Sequence, residues 1–106
     1  MIKFFADKRT KAFFEGTRVP AFAAFARQAE RRMATLEAAC SMRTLQALPS
    51  NRFEALGGDR LGQYSIRIND QWRICFRWEA KEETGPAGDP LDVAGDAVDV
   101  EITDYH

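Results

Sequence analysis

The segment Tyr64-Ser-Ile-Arg-Ile-Asn-Asp-Gln-Trp-Arg-Ile-Cys-Phe-Arg-Trp78 alternates apolar and polar residues on either side of a short polar break. Tyr64, Ile66 and Ile68 share one face of a strand, and Trp72, Ile74, Phe76 and Trp78 share one face of the next, with Asn69-Asp70-Gln71 as the turn. Two apolar sets can face the same core only in one parity of pairing. The turn therefore pairs Ile68 with Trp72 and sets Arg67 opposite Arg73. Arg77 lies on that same face, further along the second strand. Directly opposed like charges in a sheet cost a few tenths to about 1 kcal/mol, so the pattern calls for an anionic group on this face.

Toward the C-terminus a further strand can supply it. Val98, Val100 and Ile102 form an apolar face, which sends Asp99 and Glu101 to the arginine face if this strand lies beside the one carrying Arg73. That reading is a ladder of cross-strand ion pairs. A phosphodiester would answer the same charge, because a planar guanidinium fork matches its oxygens. Arg77 is assigned to the structural pairing and Arg73, nearer the turn, to a substrate. Between these strands, residues 79–97 carry three Gly, two Pro and an acidic bias, which predicts a mobile loop.

Toward the N-terminus the period is helical. Ile2 to Ala6 reads as a first strand, and Asp7 caps a short helix that runs through Phe14 and stops at Gly16. Pro20 suits the first turn of a second, longer helix, in which Phe22, Phe25, Ala29, Met33, Leu36 and Cys40 make one apolar stripe facing the core. Arg27 and Arg31 fall elsewhere on it, one turn apart, as a solvated face or a phosphate contact. The expected fold is α+β, with two N-terminal helices packed on one face of a mostly antiparallel four- to five-stranded sheet whose first strand returns to pair inside it.

Composition sets the outer limits. A chain of 106 residues with 45% apolar content is one domain with one core. Cys40 and Cys75 stand far apart without His or Cys at metal-ligand spacing, so two buried, reduced thiols are expected and neither a metal nor another cofactor. No signal segment or long apolar run is present, which predicts a soluble cytoplasmic protein with no membrane partner. The net charge of -1 hides a division: residues 1–80 hold 14 Lys/Arg and 8 Asp/Glu, a net +6, and residues 81–106 hold 1 and 8, a net -7. A basic body with an acidic segment fits either an anionic partner or a solvated surface.

Three elements in fixed order carry a resemblance over nearly the whole chain. Gly58-Asp59-Arg60, Asn69-Asp70-Gln71-Trp72-Arg73-Ile74 and the final Asp104-Tyr105-His106 together resemble the plasmid-maintenance killer (HigB) branch of the RelE/ParE toxin superfamily. The resemblance implies a RelE/ParE-like fold and a type II toxin that cuts mRNA on the ribosome. It also implies a small HigA-like antitoxin with a helix-turn-helix domain, through which alone the pair would meet operator DNA. Partners would then be that antitoxin, the 70S ribosome and mRNA. Relatives have a shorter connection where residues 79–97 stand, so this segment is either an inert insertion or one that tunes association with RNA or antitoxin.

RNA can be cut without metal by its own 2′-hydroxyl, given a base, a cation for the charge on phosphorus and an acid for the leaving oxygen. A lone terminal histidine is ordinarily frayed, but the resemblance places the last residues in the cleavage site. It thereby implies His106 as general acid or base, Asp104 as its orienting or proton-sharing partner and Tyr105 stacking on or hydrogen-bonding a base. Arg73 would stabilise the phosphate. Glu54 stands where some ribonuclease members carry a histidine, and either replaces it as base or marks a slower enzyme. Arg60, Arg67 and Arg52 are candidate RNA contacts on the same side, with Arg27 and Arg31 as further ones, while Asp59 holds the turn. A second reading from the same superfamily is a toxin that inhibits DNA gyrase without cleaving RNA, for which His106 is dispensable. A third is a degenerate module that only binds its antitoxin.

Overall fold

The computed structural model describes residues 1–81 and 88–104. Three helices, α1 (Lys8–Phe14), α2 (Ala26–Ala38) and α3 (Met42–Gln46), accompany a four-stranded antiparallel sheet of β1 (Glu54–Ala55), β2 (Tyr64–Arg67), β3 (Arg73–Ala80) and β4 (Gly95–Thr103), in that spatial order. The hairpin register matches the parity argument: Ile66 faces Ile74, Arg67 faces Arg73, and the Ile68 amide donates to the Trp72 carbonyl at 2.9 Å.

Asp7 caps α1 by accepting from the Thr10 amide at 2.8 Å, and Gly16 ends the following turn with φ 98°, a conformation that favours glycine. The second helical segment differs from expectation. Pro20–Phe25 is a 3₁₀ helix, and the α-helix proper begins only at Ala26. This tighter winding presses Phe22 and Phe25 against Trp72, with ring centroids 5.8 and 4.9 Å apart. Phe22, Phe25, Ala29, Met33 and Leu36 are buried as expected. Each large apolar side chain so buried contributes roughly 1.5–3 kcal/mol. Cys40 is exposed, contrary to expectation, because α2 stops at Ala38 and the stripe ends with it; Cys75 is buried. The short α3, which buries Met42 and Leu45, was not anticipated from the sequence.

The N-terminal segment runs parallel to β4 along its outer edge through bridges Ile2 to Ala97 and Phe5 to Val100. It thus flanks the sheet rather than entering its interior. Thr10 of α1 seals the same edge further along, its buried hydroxyl oxygen accepting from the Ile102 amide at 3.1 Å.

β4 departs from simple alternation. Arg77 faces Val98 while Cys75 faces Glu101, so β4 carries an extra residue there. The bulge centres on Asp99, whose φ is 51°. Ala97, Val100 and Ile102 therefore reach the core, and Val98 turns to the arginine face, against the expected Val98, Val100, Ile102 set. The connection between the last strands is also shorter than residues 79–97, since β3 runs to Ala80 and β4 starts at Gly95. Within it Pro90–Asp92 forms a 3₁₀ turn anchored on α3, where Arg43 holds Asp89 at 2.9 Å and Asp92 at 3.0 Å. The expected mobile loop is thus pinned over that part, and its residues 82–87 lie outside the described ones. Among the described residues no helix is long and apolar enough to cross a membrane.

Candidate active site

The helices cover one face of the sheet, and the opposite, arginine face carries the fully buried Ser65 and Cys75 between its arginines. Its like charges are resolved one by one. Arg67 pairs with Asp70 in the hairpin turn, Arg77 lies 3.6 Å from Asp99, and Arg73 lies 3.9 Å from Glu54. The cross-strand ion pairing expected for Arg77 is therefore present, and the bulge is what carries the Asp99 carboxylate to it. Glu101, the other expected carboxylate, pairs with Arg60 at 3.3 Å rather than with Arg73.

Arg60 reaches this face from the 3₁₀ turn Gly58–Arg60, which passes over the sheet as a strap between β1 and β2. Its Nη1 also donates to Gln63 Oε1 at 3.0 Å. Gly62 has φ 91°, and a side chain there would begin 2.7 Å from Arg77 Nη1, so glycine lets the strap lie against that guanidinium.

Arg73 is the least satisfied cation of the set. A 3.9 Å separation from Glu54 is a charge contact too long for a hydrogen bond. Its Nη1 is buried and finds no hydrogen-bond partner among the described residues. A buried guanidinium nitrogen left without an acceptor is a standing electrostatic cost that an incoming oxyanion would relieve. Beneath this group lies the Cys75 thiol, fully buried between Ser65 and Glu101 in the ladder. Burial pushes its pKa up to about 11, although Arg60 and Arg73 pull it down. A thiol held protonated there is packing and not a nucleophile.

The end of β4 converges on the same place. Thr103 is the register partner of Arg73, and Asp104 accepts from Gln71 Nε2 at 2.7 Å. Gln71, which the sequence reading used only as a turn residue, therefore holds the start of the terminal tripeptide beside Arg73. The contact spans 33 positions and could not be read locally. Tyr105 and His106 lie outside the described residues.

The structure brings together Glu54, Arg60, Arg73 and Asp104, with Arg67 at the hairpin end of the same face. It does not bring all candidates there. Arg52 is exposed after the turn Pro49–Asn51, in a left-handed conformation with φ 45°. Arg27 and Arg31 are exposed on the side of α2 opposite Ala29, Met33 and Leu36, so the core separates them from the arginine face. The helix side chain that does reach the hairpin is Arg32, whose Nε donates to the Arg67 carbonyl at 2.8 Å.

Comparison with known proteins identifies the family. Residues 3–86 match the family described as RelE-like toxin of type II toxin-antitoxin system HigB. That match takes in the hairpin, the strap and Arg73, and stops short of β4. Over 48 residues, 45% of this chain and 50% of the relative, the sequence is 44% identical to Toxin HigB-1 of Vibrio cholerae serotype O1. The chain thus matches about half the length of that relative. With more than half of its residues inside the family match, the chain belongs to the HigB-like, RelE-like toxins of type II toxin-antitoxin systems.

Proposed function

We propose that this chain is a toxin that cleaves mRNA on the 70S ribosome without a metal, and that a cognate antitoxin neutralises it. The observation that carries the reading is Arg73, a guanidinium whose buried Nη1 has no hydrogen-bond partner among the described residues, with the Glu54 carboxylate 3.9 Å away and Thr103, the neighbour of Asp104, opposite it in the ladder.

Cleavage of an RNA backbone by its own 2′-hydroxyl fits this set. A base takes the hydroxyl proton, the oxygen attacks phosphorus, and the bond to the 5′-oxygen breaks as that oxygen receives a proton. Arg73 would hold the negative charge that grows on the phosphoryl oxygens, an acceptor its Nη1 lacks among the described residues. Arg60 would add charge from the strap, fixed in direction by Glu101 and Gln63. Glu54 stands beside Arg73 as the candidate base, and Asp104 as the group that orients or assists His106. Tyr105 would stack on or hydrogen-bond a base of the message. On this reading the ribosome would supply the alignment of the message that catalysis needs.

Induction of the wild type, Arg73→Ala and a form ending at Tyr105 in a bacterial host, with mRNA 5′ ends mapped as growth is followed, tests the reading. Cuts within translated codons are expected for the wild type alone. Growth arrest without new 5′ ends, and unaffected by losing His106, would move the target to gyrase or another machine.

A further inference from the structure

We infer that the antitoxin docks on the N-terminal edge of the sheet and the adjoining face of α1, and that the segment it places there is acidic with apolar anchors. This rests on the reading of the chain as a toxin with such a partner, and adds where that partner sits.

Met1, Phe4 and Phe14 are three of the five large hydrophobic residues exposed among those described, and all belong to this one region. Phe4 is 58% exposed, although it lies in a sequence that reads as a strand. Phe14 packs its ring against Phe5 at 5.5 Å while keeping its outer face open. Between the N-terminal segment and α1 runs a groove of about 350 Å³ lined by Lys3, Phe4, Phe5, Lys8 and Lys11, among others. A groove with an aromatic floor and a basic rim has the anatomy of a protein interface.

Charge identifies the occupant. Lys8 and Lys11 are exposed and have no carboxylate partner among the described residues, whereas Lys3 is paired with Glu79 at 2.7 Å. Asp7, the one acid in the groove, is spent on the α1 cap. The unneutralised cations favour a segment bearing Asp or Glu on each side of an apolar residue. The surface lies along the outer edge of β4, whereas Glu54 and Arg73 lie on the strands beyond it, so occupation here leaves the arginine face open.

The test is titration of the purified chain with its cognate antitoxin at low and high salt, for the wild type, Phe4→Ser, the double variant Lys8→Glu/Lys11→Glu, and Arg73→Ala. All three substituted sites are at least partly solvent-exposed, and thermal unfolding of each variant checks the fold. Phe4→Ser is expected to weaken binding about 30-fold as the loss of an interface anchor. The charge reversal is expected to weaken it roughly tenfold at low salt and to remove most of the salt dependence. Arg73→Ala should bind as the wild type does. Unchanged affinity for Phe4→Ser and the double variant, or a loss confined to Arg73→Ala, overturns the assignment. Failure of the wild type to bind any cognate antitoxin would instead overturn the partner reading itself.

Discussion

Replacing Thr10 by Val should loosen the end of β4 that sets Thr103 opposite Arg73 and leads into Asp104. Thr10 is fully buried, and its hydroxyl oxygen is the acceptor for the Ile102 amide at 3.1 Å. Valine has nearly the same shape, so no cavity opens, but the Ile102 N–H is left buried without an acceptor. An orphaned buried donor costs about 1–3 kcal/mol. Serine keeps the acceptor and removes one methyl, which costs about 1 kcal/mol in lost burial. The expected order of stability is therefore wild type, then Ser, then Val. For a domain of this size about 2 kcal/mol corresponds to a fall of roughly 8–16 °C in Tm for Val. Urea unfolding gives the free energies, and hydrogen exchange at the Ile102 amide gives the mechanism, with protection kept in Thr10→Ser and lost in Thr10→Val. A valine variant within ~0.5 kcal/mol of wild type, or one whose Ile102 amide stays protected, would refute the claim that this hydroxyl closes the sheet edge.

Other consequences are equally direct. A side chain at Gly95 would begin 2.4 Å from the Glu79 carbonyl and 2.5 Å from Trp78 Nε1, so Gly95→Ala should cost about 1–3 kcal/mol in chemical denaturation. Neutral-pH alkylation followed by mass spectrometry should label exposed Cys40 and spare Cys75, whose thiol is buried and raised to about 11; both labelling in the folded protein would contradict the packing. Arg43→Ala should expose residues 89–92 to limited proteolysis while leaving the cooperative unfolding transition in place, because it releases only the clip between α3 and the Pro90–Asp92 turn. The Leu91 amide and then Arg43 hold the Asp89 carboxyl below its ordinary range. A depressed carboxyl stabilises above its unfolded value and loses that contribution as pH falls through the folded one, so the clip should survive mild acid and open only below the usual carboxylate range.

The hairpin was readable because its information is local. Alternation from Tyr64 to Trp78 and a three-residue break fix the register, and register alone put Arg67 against Arg73. The cap at Asp7 was readable for the same reason. What the sequence hid was settled by tertiary context. The bulge at Asp99 flips Val98 out of the core; aspartate tolerates positive φ better than most residues, but several aspartates stand in this part of the chain and local sequence does not say which one takes it. Composition alone made residues 79–97 look unanchored, because Arg43, which pins Asp89 and Asp92, lies more than 45 positions away. Cys40 followed the apolar period of α2 on paper, yet the helix had already ended.

The site divides along the same line. Arg73 and its need for a counter-charge followed from strand parity, whereas its pairing with Glu54 depends on how β1 meets β2, and the capture of Asp104 by Gln71 on how β4 meets the turn. Arg27 and Arg31 were plausible as charges and excluded from this face only by the packing of α2. The terminal histidine had no structural argument in the sequence beyond the resemblance that singled it out.

The most direct test of the central claim is single-turnover cleavage of a programmed message on purified 70S ribosomes, comparing the wild type with Arg73→Ala and Arg73→Lys. If Arg73 stabilises the charge on the phosphate, alanine should slow cleavage by about 10²–10³-fold with ribosome binding retained, and lysine should recover only part of the loss. Cleavage by Arg73→Ala at the wild-type rate, or no cleavage by the wild type on programmed ribosomes, would contradict the account.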